Sequence, residues 1–96
     1  MEKREHDDEW NGKKVLVVGL GATGLSAIRF LARRGAVVRA ADSRTAPPTL
    51  GALRQEWPHV VPELGPFDAR QLADVDAVVA SPGVALREPL LREAAA

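Results

Sequence analysis

The sequence predicts an α/β domain built on a parallel sheet, and three observations carry that prediction. The run Val15-Leu16-Val17-Val18 is apolar throughout and mostly β-branched, which reads as a strand buried on both faces. Gly19, Gly21 and Gly24 then fall in G-x-G-x-x-G order, followed by a helical apolar spacing at Leu25, Ile28, Phe30 and Leu31. Beyond them strand-like and helix-like stretches keep alternating, a pattern that folds through right-handed crossovers into a sheet whose strands run one way. The expected architecture is a Rossmann-like, three-layer parallel sheet with strand order 3-2-1-4.

Composition bounds what such a domain does. With 96 residues the chain is expected to form one domain, with a core of limited margin. Thirteen basic and 13 acidic residues balance to a formal net charge of zero, which argues against a nucleic-acid partner, since a phosphate-backbone binder shows a basic excess. Cysteine is absent, so disulfides and thiolate metal sites are excluded and a reducing cytoplasm is tolerated. The apolar runs are too short for a membrane span, and the charged start is no signal peptide.

Residues 1–9 are densely charged and without periodicity, so a mobile leader is expected there. Trp10 with Asn11-Gly12 reads as a turn that folds the ring back toward the sheet, and Lys13-Lys14 as a solvated strand entry. The first helix is expected from Ala22-Thr23 to Arg33-Arg34-Gly35, and the second strand over Val37-Val38-Arg39-Ala40-Ala41 with Asp42 at its end. Pro47-Pro48 stops that strand. Residues 49–57 suit a short helix with Thr49 as N-cap and Leu50, Leu53 and Trp57 on one face. Val60-Val61-Pro62-Glu63 reads as a weak third strand, placed at an edge by its proline. Residues 67–74 suggest a helical turn with Leu72 facing inward, 76–80 a buried fourth strand, and 89–96 a final helix. His6 and His59 are isolated and read as solvated side chains.

In the order 3-2-1-4 the first strand lies between the second and fourth, so the polar clusters ending these three strands converge on one crevice. They are Gly21-Ala22-Thr23-Gly24, Asp42-Ser43-Arg44 and Ser81-Pro82-Gly83. The first joins strand to helix, where free N–H groups and the positive end of the helix dipole meet a phosphate. Asp42 follows Gly24 at close to the roughly 20 residues expected for an acid that meets a ribose hydroxyl. Thr23 adds a hydroxyl, Asp42 an acceptor for sugar or base, and Arg44 a flat cation for a base or a phosphate. Ser81 and Gly83 add a hydroxyl and unhindered backbone. Each residue also has a plain structural use, as a cap, a turn or a strand exit; it is their convergence that points to a ligand. No metal-ligand cluster and no catalytic constellation stands out.

The runs V-V-G-L-G-A-T-G-L-S, A-D-S-R-T-A-P-P and V-A-S-P-G-V-A-L-R-E-P resemble the N-terminal domain of the Mur ligases, of the type that adds D-glutamate in peptidoglycan synthesis. The likeness runs in order from about Trp10 to Ala96, and its D-S-R-x-x-P-P and A-S-P-G segments are more specific than the glycine motif. It implies a domain over residues 10–96 that grips the UDP part of a UDP-linked muramoyl-alanine substrate. Ala22 and Thr23, within the Gly21–Gly24 loop, would meet the diphosphate. Asp42, Ser43 and Arg44 would hold the uracil, and Ser81, Pro82 and Gly83 would line the ribose and phosphate side. Many relatives carry threonine where Ser43 stands.

In that family ATP and Mg²⁺ belong to a central domain with a G-x-x-G-K-[ST] loop, and the amino acid to a third domain. There the muramoyl-alanine carboxylate becomes an acyl phosphate that the D-glutamate amine attacks. None of the 96 residues forms such a loop. The resemblance therefore implies a chain inactive alone, needing those partner domains in a cytoplasmic enzyme, and a sheet truncated before a fifth strand. Two other readings stay open on the residues themselves. One is an NAD(P)-binding module of an oxidoreductase or redox-sensing regulator; the other is a structural domain with a vestigial site.

Overall fold

The computed structural model describes residues 9–80. β1 (Lys14–Val18) lies at the centre of a four-stranded, all-parallel sheet of order β3-β2-β1-β4, the order expected. β2 (Val37–Asp42) pairs along one side of it, with Val18 opposite Ala41, and β4 (Ala77–Ala80) along the other, with Val18 opposite Ala80. This register brings the carboxyl ends of three strands level. The N–H of Gly19 extends the ladder by donating to the Ala41 carbonyl at 2.8 Å.

Alternation along the strands sends side chains to two different cores. Val15, Val17 and Ala40 face α1 (Ala22–Arg33) and α2 (Leu50–Glu56), packing with Leu20, Leu25, Ile28, Leu31, Leu53 and Val60. Leu16, Val18 and Ala41 face the other way, against Phe67, Leu72 and Val75 around a 3₁₀ turn at Ala69–Leu72. A capping box sets that turn: Asp68 accepts from the N–H of Arg70 at 2.8 Å, and the Gln71 side chain accepts from the N–H of Asp68 at 2.9 Å. Leu72 faces inward as expected.

Four local expectations are corrected. Phe30 is not part of the buried stripe of α1; it is 46% exposed, and the guanidinium of Arg34 lies 3.7 Å from its ring centroid. Thr49 sits at the N-cap of α2 without capping it, because its hydroxyl is used elsewhere. The third strand is Pro62–Leu64, starting two residues later than expected, and among the described residues it pairs only with β2. Val60 instead donates its N–H to the Trp57 carbonyl at 2.9 Å as the chain leaves α2, and plugs the core. β4 is half-buried rather than buried, and Asp76 stands just before it, its carboxylate accepting from the N–H of Lys14 at 2.8 Å. Residues 1–8 of the leader expected over 1–9, and the helix expected over 89–96, lie outside the described residues.

Candidate functional site at the carboxyl ends of the strands

The three glycines of the motif have three different uses. Gly19 has φ +98°, a conformation that side-chain-bearing residues rarely adopt, and this lets the chain turn off β1. Gly24 is buried inside α1, where a Cβ would collide with the Gly19 carbonyl; its bare backbone packs the helix against the turn. Gly21 is different. Its φ of −90° suits any residue, and a Cβ there would meet none of the described residues within 4 Å. Among the described residues nothing in the packing requires a glycine at that position.

Gly21 is also the N-cap of α1. No side chain caps the helix, and no acidic residue occupies its first turn. Among the described residues the N–H groups of Ala22, Thr23 and Gly24, which a helix cannot satisfy internally, thus have no capping side-chain oxygen, and no acidic residue of the first turn offsets the positive dipole end. A serine or aspartate at Gly21 would occupy these donors with the protein's own oxygen. Ala22 and Thr23 are exposed at this end.

Asp42, at the end of β2, is 2% exposed. Its Oδ2 accepts from the N–H of Leu20 and from Nη2 of Arg44, both at 2.7 Å, and its Oδ1 from the N–H and Nε of Arg44 at 2.8 and 2.9 Å. A carboxylate has about four lone-pair sites, and four donors fill them. The Arg44 guanidinium, with desolvation opposing and the two backbone N–H groups assisting, holds the Asp42 carboxyl down at about 2. The carboxylate thus faces the protein, not the crevice. The Arg44 side chain, 52% exposed, is held one carboxylate away from the glycine loop, and Ser43 is exposed beside it. Sequence reasoning missed Thr49, whose hydroxyl donates to the Leu20 carbonyl at 2.8 Å.

The structure therefore brings together Gly21, Ala22, Thr23, Gly24, Asp42, Ser43 and Arg44. Ser81, Pro82 and Gly83 lie outside the described residues, directly after Ala80, which is level with Val18. A separate cleft of about 390 Å³ is lined by Arg39, Glu63, Asp68, Arg70 and Gln71 and includes none of these residues. Its charges pair with each other, Arg39 with Glu63 at 2.9 Å and Arg70 with Asp68 at 3.1 Å. Among the described residues no group of three or more His, Asp or Glu is placed to hold a metal ion, and no helix is long and apolar enough to cross a membrane.

Residues 13–96 match the family described as Mur ligase MurD-like, N-terminal domain. The chain belongs to that family. Among curated proteins it is similar to the UDP-N-acetylmuramoylalanine–D-glutamate ligase of Methylobacillus flagellatus, 54% identical over 82 residues that make up 85% of this chain and 18% of that protein. It is 51% identical over 86 residues to the ligase of the same name from Thiobacillus denitrificans, covering 90% of this chain and 18% of the other. Against that of Nitrosomonas eutropha the identity is 49% over 82 residues, 85% and 17% of the two chains. The chain thus spans less than a fifth of the length of these relatives, and within the MurD-like family it corresponds to the N-terminal domain.

Proposed function

We propose that this MurD-like domain binds the UDP moiety of UDP-N-acetylmuramoyl-L-alanine for an ATP-dependent ligase that adds D-glutamate in peptidoglycan synthesis. The observation that carries the reading is the start of α1. A glycine that the packing of the described residues does not require leaves three N–H groups without a side-chain cap among those residues, at the positive end of a 12-residue helix beside an exposed arginine. A diphosphate matches that end, with its oxygens on the N–H groups of Ala22, Thr23 and Gly24 and the Thr23 hydroxyl in reach. The uracil belongs with Ser43 and Arg44, which offer a hydroxyl and a flat cation. Asp42 serves the site by holding Arg44 and the loop, its own acceptors being occupied. Ser81, Pro82 and Gly83 complete the ribose side in this proposal.

The same occupancy weighs against the dinucleotide reading, which asks an acid at this position to accept from ribose hydroxyls. ATP and Mg²⁺ are assigned to the other domains of the longer cytoplasmic enzyme, which also supply the amino-acid site; this chain alone is proposed to be inactive. Calorimetric titration tests the reading. UDP is expected to bind weakly but more tightly than NAD or NADP, and NAD outbinding UDP would overturn it.

A further inference from the structure

Leu20 stands between the glycines of the loop, is fully buried, and lies where two distant parts of the chain take hold of its peptide groups. Asp42, 22 positions away, accepts from its N–H at 2.7 Å. Thr49, 29 positions away, donates its hydroxyl to the Leu20 carbonyl at 2.8 Å, and its own N–H points at the same oxygen at 3.4 Å. The peptide on the N-terminal side of Leu20 is therefore fixed by β2, and the peptide on its C-terminal side, which carries the N–H of Gly21, by the start of α2. Rotation of that second peptide would reorient the Gly21 N–H, which precedes those that Ala22, Thr23 and Gly24 present at the start of α1.

We propose that Thr49 is a positioning residue for the diphosphate, which orients the Leu20–Gly21 peptide so that the phosphate-facing donors of the loop are aligned before ligand arrives. This rests on the UDP reading above. Several features set Thr49 apart from an ordinary cap. Its hydroxyl is turned away from the N–H groups of its own helix, so α2 starts without a side-chain cap. That hydroxyl is spent on a carbonyl that its own main-chain N–H also approaches. Pro47, which is buried, accepts from the N–H of Leu50 at 3.1 Å and anchors the segment that delivers Thr49. Order in the loop lowers the entropy lost when a ligand is gripped, so removal of the tie weakens the phosphate contacts and leaves the base contacts as they were.

The test compares UDP with uridine, which lacks the phosphates, by calorimetry on the unaltered chain and on Thr49→Val and Thr49→Ser. Thr49→Val keeps the shape and removes the hydroxyl; one lost hydrogen bond predicts a loss of about 3- to 10-fold in UDP affinity. Uridine binding should stay the same, and Thr49→Ser should restore UDP binding to within about 2-fold. If Thr49→Val does not fold, Thr49→Ala is read in its place. Equal UDP affinity in the folded variant, an equal loss for UDP and uridine, or no rescue by serine each overturns the inference. Absence of UDP binding by the unaltered chain overturns the reading beneath it as well, so the two failures are told apart.

Discussion

Asp42→Ala is expected to destabilise the fold in a way that depends on pH. In the structure the carboxylate satisfies the N–H of Leu20, a residue with no exposed surface, and Ala would leave that donor buried without a partner. Such a loss costs about 1–3 kcal/mol. Arg44 would lose its partner too, but its half-exposed guanidinium is hydrated, so no unpaired charge is left buried. The ionic part is readable from titration. Asp42 is held below its ordinary 3.8, at about 2, chiefly by Arg44, and a depressed carboxyl stabilises the fold above its unfolded value. That shift is worth about 2 kcal/mol, present in full above about pH 5 and lost as the pH falls through about 2. Urea unfolding followed by Trp10 and Trp57 fluorescence gives the stability of both proteins at each pH. The unaltered chain should exceed the variant by about 2–3 kcal/mol near neutrality, and the gap should shrink by about 2 kcal/mol between about pH 5 and pH 2. A gap that stays constant over that range, or no gap at neutral pH, would refute the buried, arginine-held carboxylate.

Three further substitutions test the glycine loop and the core. Gly24→Ala should destabilise by about 3 kcal/mol or more by urea unfolding, because the new methyl meets backbone that cannot move aside without shifting the turn. Gly21→Ala should change stability by less than about 1 kcal/mol, since its Cβ meets none of the described residues, yet it should weaken UDP binding at least 10-fold by calorimetry. Leu53→Ala, at the fully buried anchor of α2, should cost about 2–5 kcal/mol of unfolding free energy.

The strand-turn-helix at the centre of the fold was legible because its signals are local. β-branched runs, glycine spacing and an i, i+3 apolar stripe each act within a few residues, so β1, α1, β2 and the sheet order followed from sequence. What the sequence did not yield depends on partners far along the chain. Asp42 reads as an open acceptor until Leu20 is placed against it, and Thr49 reads as a cap until the Leu20 carbonyl arrives from 29 positions away. Phe30 is apolar but stands two positions from Ile28, about 200° round the helix and so off the stripe of Leu25, Ile28 and Leu31, and Arg34 covers its ring instead. At the third strand, β-branched Val60-Val61 outweighed the turn that leaves α2, which uses Val60 as a core residue before Pro62 can pair. The candidate site was legible as a set of strand-end residues; which of them face a ligand was not.

Amide chemical-shift mapping with UDP and with uridine is the most direct test of the proposed UDP grip. Saturation with UDP should move the amides of Gly21, Ala22, Thr23, Ser43 and Arg44 furthest, while uridine should move Ser43 and Arg44 and leave the start of α1 in place. Shifts centred on the cleft of Arg39, Glu63 and Arg70, or UDP shifts that spare the amides of residues 21–23, would contradict the account.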